Sequence, residues 1–414
     1  MSERKLRVLI IGGGIGGLAL AQGLHAEGVQ VAVYEQDTTT RLRGQGYRLR
    51  VSPEGEQALR DCLPERAQAL LTATANMRYD KGLAAYDEKL NPLWAPQFGD
   101  PRGDRPDKVD AVDRVTLRRI LLSGLDDLVH FGKRFTRYEI GADDKVTAHF
   151  ADGTSDTGDV LIAADGTNSR VRAQRVPDAD NVRDLGVRAI LSRTPMAKAI
   201  SAGLPEVLRD RFTYVIGSDG LHLGLMPMVF RNQPRKAAAE LWPELEFDDS
   251  EDYYMSVFSV HREELGIPDE KFFAMTGPEL VQLVLDRTAE WQSELHGVFA
   301  HAEPDETLPI ALRATLPIQP WPAGQIIPLG DAMHAMPPTG GVGANTAVRD
   351  AAGLKSVLAQ VDRGERTLTD AMEEYQNAVR VYGTEAITMS LKTAKWSIQK
   401  LDWDENGNYV ADQR

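Results

Sequence analysis

The sequence predicts an α/β fold, with a discontinuous domain of parallel strands and helices, a mainly antiparallel β-sheet domain inserted into it, and C-terminal helices. Three observations predict it. Short apolar runs ended by glycine lie near both ends of the chain, at residues 6–11 and 324–329. Between them, residues 186–260 carry strand-like segments without the regular helix alternation of an α/β layer. Beyond residue 345, apolar positions recur at helical spacing.

Taken in order, residues 6–11 (Leu-Arg-Val-Leu-Ile-Ile) have the pattern of a buried parallel strand. Residues 15–27 follow as a helix with Ile15, Leu18, Ala19, Ala21 and Leu24 on its apolar side, and Val29 to Tyr34 form a second strand. Strands joined by such a helical crossover are parallel. Residues 53–71 and 114–124 read as helices, and residues 79–110, rich in Pro, Gly, Trp and charge, as an excursion out of the first domain. Residues 130–164 alternate, with Val146, Ala148 and Phe150 on one side and Lys145, Thr147 and His149 on the other, which predicts a β-meander ending in the strand Val160–Ala164. Segments 186–193, 211–217, 221–230 and 252–260 predict the inserted sheet. Helix returns at 277–295, and the strand Gly324–Leu329 brings the chain back to the first domain. Helices at 345–360 and 368–400 close it, the latter broken near Gly383. The first domain then comprises residues 1–75, 105–180 and 305–365, the inserted domain 76–104 and 181–304, and the helical segment 366–414.

Composition narrows the partners. The 47 basic side chains are outnumbered by 61 acidic ones, a net charge of −14. That balance disfavours binding to nucleic acid, which needs a concentrated basic face, and docking on an anionic membrane. Cys62 is the sole cysteine, so no internal disulfide forms, and a buried apolar role is expected for it. The apolar stretch Val8–Ala21 is interrupted by five glycines and is shorter than the run of about 18 needed to cross a bilayer. A cytoplasmic protein, monomeric or homodimeric, is expected. No His/Cys cluster has metal-ligand spacing.

The first chemical motif is Gly12-x-Gly14-x-x-Gly17. Gly12 permits the tight turn out of the strand, Gly14 lets backbone amides approach a pyrophosphate, and Gly17 lets the helix pack closely on the sheet. Glu35 ends the second strand 18 residues after Gly17, where a carboxylate can hold a ribose hydroxyl pair and would repel a 2′-phosphate. This is a Rossmann-type dinucleotide unit, and by itself it serves NAD and FAD alike. Two later motifs follow predicted strands: Asp165-Gly-Thr-Asn-Ser-Arg-Val-Arg172 and Gly330-Asp331-Ala-Met-His334-Ala-Met-Pro337-Pro338-Thr-Gly340-Gly341-Val-Gly343-Ala-Asn345. The glycines of the second lead into a helix whose exposed amides and partial positive charge suit an anionic group.

With these three motifs in this order, the chain resembles the class A FAD-dependent monooxygenases, the family of para-hydroxybenzoate hydroxylase. The Asp-Ala-x-His-x-Met-Pro-Pro wording is closest to the tetracycline-inactivating branch. The resemblance covers a Rossmann-type FAD-binding domain and does not reach residues 180–300. It implies that Asp331 bonds the ribityl chain and that Asp165 lies near the pyrophosphate. It implies further that Arg43 of Arg41-Leu-Arg43-Gly-Gln-Gly46 touches FAD, and that Arg114 or Arg118 of Arg114-Val-Thr-Leu-Arg118 reaches it. The loop around Pro338, Gly341, Gly343 and Asn345 would then face the pyrimidine edge of the flavin, where the reduced ring carries negative charge. Tyr214, His222, Met226 and Phe258 on the inserted sheet are candidates to line a substrate cavity.

The function so implied is a single-component hydroxylase. NADH or NADPH reduces FAD, O2 adds to the reduced ring, and the flavin hydroperoxide hydroxylates an aromatic or polycyclic small molecule. No catalytic side chain is assigned, because the cofactor carries the chemistry. Baeyer–Villiger insertion uses similar machinery. An FAD oxidase or dehydrogenase of the same fold without oxygen transfer, a non-catalytic dinucleotide-binding protein and a plain NAD dehydrogenase are the alternatives.

Overall fold

The computed structural model describes residues 5–39, 47–77, 82–94, 105, 107–178, 181–404 and 406–410. Five parallel strands form the first sheet, in the order Ile326–Pro328, Val160–Ala163, Arg7–Ile11, Gln30–Tyr34 and Val129–His130. The central strands are apolar at nearly every position because the sheet is covered on both faces. Val8, Ile10, Val31, Val33 and Ile162 face a helical layer that includes Ile15–Ala26 and Gly343–Asp362. Leu9, Ile11, Ala32 and Leu161 face Tyr138, Val146, Ala148 and Phe150 of a three-stranded antiparallel sheet. Each such buried aliphatic side chain contributes roughly 2 kcal/mol relative to exposure.

The turn out of the first strand shows why glycine recurs there. Gly12 has φ +110°, and a Cβ on it would lie 2.2 Å from the Ala164 carbonyl oxygen. A Cβ on Gly17 would lie 2.3 Å from the Gly12 oxygen, so the helix rests directly on the turn.

Seven strands form the second sheet: Leu308–Thr315, Val182–Pro195, Tyr253–His261, His222–Met228, Phe212–Ile216, Leu83–Asp87 and Pro92–Trp94. All pairings are antiparallel except that of Leu83–Asp87 with Phe212–Ile216. The excursion after the first domain therefore supplies the last two strands at one side of this sheet, with Pro92–Trp94 at its edge. One face of this sheet carries Val215, Leu223, Phe258 and Val260 and is backed by helical residues such as Leu280, Val284 and Phe299. The opposite face carries Leu191, Met228, Tyr253 and Met255 and meets Leu391, Ala394 and Ile398 of the long helix Leu368–Ile398.

Two helices depart from expectation. Residues 53–71 are not one helix but two, Pro53–Cys62 and Glu65–Thr74. Leu63 precedes Pro64, whose ring excludes the helical conformation of the residue before it, and Leu63 is extended at ψ 140°. The C-terminal helix is unbroken from Leu368 to Ile398. Gly383 is a site of close contact in it, where a Cβ would lie 3.2 Å from Ile318 Cδ1 and 3.4 Å from His334 Cδ2. The propensity cost of a helical glycine, about 1 kcal/mol, is small beside the packing of so long a helix. Cys62 is buried, and burial pushes its thiol up to about 12. Among the described residues no helix is long and apolar enough to cross a membrane.

Gly17→Ala is expected to destabilise the protein by about 1–3 kcal/mol through overpacking against Gly12, as measured by urea unfolding. An unchanged midpoint and slope would show that the turn can yield.

Candidate functional site

The carboxyl ends of three adjacent parallel strands bring Gly12, Asp165 and Gly330 to one crevice. Contacts across it are direct. A Cβ on Gly16 would meet Leu329 Cδ2 at 2.5 Å and Ala347 at 3.2 Å, and one on Gly330 would meet Ala347 at 3.3 Å. Such a crevice is where open α/β sheets bind their ligands.

At the amino-terminal end, Glu35 Oε2 accepts from the Gly13 amide at 2.8 Å and Oε1 from the Asp37 amide at 2.8 Å. Arg118 is buried, donates from Nε to the Gly13 oxygen at 3.0 Å and places Nη2 3.9 Å from Glu35 Oε2. Burial lowers the Arg118 pKa against the opposing pull of Glu35 and Asp37. A carboxylate can accept about four hydrogen bonds, so Glu35 keeps capacity for sugar hydroxyls. No side chain caps the Ile15–Ala26 helix, and a Cβ on Gly14 would meet nothing within 4 Å. Open space before uncapped amides fits a pyrophosphate.

Gly330 has φ +64° and ψ −140°, a conformation open essentially to glycine alone. Its amide donates to Asp350 Oδ2 at 2.8 Å. His334 Nε2 lies 2.7 Å from the same oxygen, and the Tyr382 hydroxyl donates to Asp350 Oδ1 at 2.7 Å. Burial alone would lower the His334 pKa, but the Asp350 carboxylate prevails and raises it. This cluster fixes the turn that presents Asp331. Asp331 keeps solvent-exposed surface, accepts from Thr167 Oγ1 at 3.4 Å and feels the charges of His334 and Arg114. The protein packed around it nonetheless raises its carboxyl above the usual range.

Asp165 turns into its own loop, accepting from Ser169 Oγ and from the amides of Arg170 at 2.8 Å and Val171 at 3.2 Å. Arg172 then ties that loop to the Asp331 turn through the carbonyls of Thr167 at 2.6 Å and Ala332 at 2.9 Å. Arg114 is close enough to Asp331 for its charge to be felt there.

The second glycine cluster forms a 3-10 turn over Pro338–Gly340, after which the uncapped helix Gly343–Asp362 begins. Pro338 is exposed, and Gly341 and Gly343 are half-buried. Asn345 is buried, and its side chain is committed to the protein. Its amide donates to the carbonyls of Arg50 at 2.8 Å and Gly341 at 2.9 Å, while Oδ1 accepts from the Ser52 amide at 2.8 Å. The long C-terminal helix supports the same loop. Ser390 accepts from Thr339 Oγ1 through its carbonyl at 2.8 Å, and a Cβ on Gly340 would lie 2.8 Å from Ser390 Oγ. Arg43 lies outside the described residues.

On the second sheet, the register pairs Tyr214 with Gly224, Ile216 with His222 and Met226 with Met255. Tyr214, His222 and Met226 therefore share one face, the one turned toward the long helix. The Tyr214 ring meets Phe212 at 4.7 Å, His222 at 5.0 Å and Trp396 at 5.2 Å. Burial pushes the Tyr214 hydroxyl up to about 12 and the His222 imidazole down to about 3, so both are neutral near pH 7. Among the described residues neither ring nitrogen of His222 has a hydrogen-bond partner. The expectation for Phe258 is corrected. It stands three residues from Met255 on the same strand and so projects to the opposite face, into the helix-backed core.

Asp350, Tyr382 and Arg50 were not reached from the sequence. Asp350 did leave a signal, a carboxylate on the helix face that carries Ala347, Ala351 and Leu354. A charge on an apolar face implies a buried partner.

Family models of an FAD binding domain and an NAD(P)-binding Rossmann-like domain match residues 285–389 and 10–59. A dual O-methyltransferase/FAD-dependent monooxygenase of Phaeosphaeria nodorum is 32% identical over 378 residues, 86% of this chain and 40% of that protein. The chain thus spans less than half the length of the curated relatives it first matches, 40% and 44%. A solved structure from Photorhabdus luminescens, provisionally assigned as an FAD-containing monooxygenase, superposes with TM-score 0.79 at 29% identity, covering 95% of this chain and 99% of that one. Klebsiella pneumoniae HpxO, solved with FAD and uric acid, superposes with TM-score 0.71 at 25% identity, covering 95% and 90%.

Because the folded His334 pKa is raised, the stability it contributes is complete below the ordinary imidazole value of about 6.5 and is lost as pH rises through the folded value. Asp350→Asn is expected to cost about 3 kcal/mol at pH 6 and distinctly less at alkaline pH, read by urea unfolding at both. An equal cost at the two pH values would dismiss the charged pair.

Proposed function

The chain belongs to the class A flavin monooxygenase family, and on that footing we propose that it is an FAD-dependent, NAD(P)H-consuming monooxygenase that hydroxylates an aromatic or polycyclic small molecule. The observation that carries the proposal is the meeting of the Gly12 turn, the Asp165 loop and the Gly330 turn at the carboxyl ends of three adjacent parallel strands, with open space beside Gly14. A relative solved with both FAD and uric acid supports the aromatic substrate.

In this reading Glu35 holds the adenosine ribose, and the amides after Gly14 hold the pyrophosphate, with Arg118 behind them. Asp331 holds the ribityl chain, flanked by Arg114. Bound FAD supplies the redox chemistry, taking electrons from NADH or NADPH and reacting with O2. The chain's own groups set its surroundings. The Gly341 amide is donated to the Pro338 carbonyl at 2.9 Å, so the amides from Gly343 onward, at the positive end of a 20-residue helix, would stabilise negative charge on a bound flavin. Pro338 and Asn345 hold that loop in place, and Asp165 shapes the loop beneath the pyrophosphate. Tyr214, His222 and Met226 form an apolar wall that orients a substrate ring and keeps water out. The neutral, unpartnered His222 accepts or donates one hydrogen bond there without bringing a charge.

Two measurements test this. Gly14→Val fills open space, so the apo fold is expected to survive while FAD affinity falls at least about tenfold. Unchanged affinity removes Gly14 from the cofactor site. Purified protein is expected to be yellow, to oxidise NADH or NADPH in response to an aromatic substrate, and to place one atom of oxygen-18 from labelled O2 in the product. Substrate oxidation with hydrogen peroxide release and no label would make it an oxidase instead.

A further inference from the structure

A cavity of about 440 Å³ lies against the long helix Leu368–Ile398, where that helix meets the chain just after the strand Leu308–Thr315 and the turn at residues 406–407. Its size falls within the roughly 300–1,000 Å³ of small-molecule sites. It is not part of the crevice. Arg380 and Thr384, which line it, each stand two residues from Tyr382. At about 100° per residue they project about 200° around the helix from the side chain that meets Asp350. Thr388, another lining residue, stands in the same relation to Ser390, which lies against the glycine loop.

The lining has an apolar part and a polar part. Leu316, Pro317, Ile318 and Ile387 supply the first. In the second, the side chains of Asn377, Arg380 and Thr388 have no hydrogen-bond or ion-pair partner among the described residues. Thr384 has already given its proton to the Arg380 carbonyl at 2.6 Å. Thr315 is only 1% exposed, yet among the described residues its hydroxyl has no partner either. Buried polar groups are ordinarily paired, so an orphaned hydroxyl in the wall of a cavity is accounted for by an atom of a guest.

The charge of the cavity narrows the guest. The chain carries a net charge of −14, yet among the described lining residues Arg380 is the one charged group and no carboxylate is present. An uncompensated guanidinium beside free amide and hydroxyl donors selects an oxyanion. The apolar part selects an oxyanion that carries a hydrocarbon body. A smaller cavity of about 160 Å³ shares Asn377 and Arg380 but is also lined by Glu373, whose carboxylate repels an anion. The larger cavity is therefore the one that takes it.

We propose that this cavity is an accessory binding site for a small organic oxyanion, a carboxylate or a phosphate ester. Arg380, Asn377 and Thr388 hold the oxyanion, and Leu316, Ile318 and Ile387 cover its hydrocarbon body. The site stands independently of the monooxygenase reading, because none of these groups belongs to the crevice.

Four probes test it, each titrated into the FAD-loaded full chain by calorimetry: hexanoate, hexyl phosphate, hexan-1-ol and inorganic phosphate. At least one of the two organic anions is expected to bind at least about tenfold more tightly than hexan-1-ol and inorganic phosphate. The tighter of the two tells a carboxylate ligand from a phosphate ester. Arg380→Gln is expected to weaken that binding at least about tenfold with FAD retained, and Arg380→Lys to recover part of it. Val381 lines the same cavity and is 63% exposed, so Val381→Trp is expected to fold normally and to block the site. Hexan-1-ol or inorganic phosphate binding as tightly as both organic anions would overturn the proposal. So would an absence of binding by both organic anions at millimolar concentration, or binding that survives in Arg380→Gln.

Discussion

The carboxylate of Asp350 is fully buried and accepts from the Gly330 amide and the Tyr382 hydroxyl while facing His334. Ionised carboxylates are costly to bury, and this one is tolerated because donors surround both of its oxygens. Those donors come from three places: the strained turn after a core strand, the short helix that follows it, and the long C-terminal helix. The conformation of Gly330 is held by this bond, and the placement of Asp331 follows from it. The crevice is therefore assembled from distant parts of the chain by one electrostatic node rather than by the turn sequence alone.

The two sheets divide the work. The parallel sheet is covered on both faces, so only the ends of its strands are available for binding. The second sheet has one face packed on its own helices and one turned toward the site. Rings and neutral polar groups collect on the latter, which suits it to hold a flat apolar molecule.

How much of this was legible depends on what each residue reports locally. The turn of Gly12, Gly14 and Gly17 was readable because the three glycines fall within six residues, even though the carbonyl that excludes a side chain at Gly12 belongs to the distant Ala164. Four of the five parallel strands were readable because burial on both faces leaves unbroken apolar runs, whereas the two-residue strand Val129–His130, with His130 exposed, has no such run. The same continuity hid the orientation of Phe258, since Tyr253–His261 is buried at eight of nine positions and its hydropathy does not alternate. Gly383 was legible as unusual, but a glycine that breaks a helix and one that admits a neighbour look alike in sequence. Pro64 did carry the split of the second helical segment, through its effect on Leu63. Arg50 could not be found, because an arginine in a three-residue strand looks like any solvated charge until the loop lying on it is known.

The long helix touches three parts of the site in turn. Tyr382 meets the buried carboxylate, Ser390 lies against the glycine loop, and Trp396 meets the ring wall. At 1.5 Å per residue, the 14 positions from the first to the last of these span about 21 Å. The helix thus acts as a rigid caliper whose jaws are set by residue count. Point changes along it can reshape the space available to a guest. A one-residue insertion would instead rotate everything downstream by about 100° and detach the wall from the loop in one step.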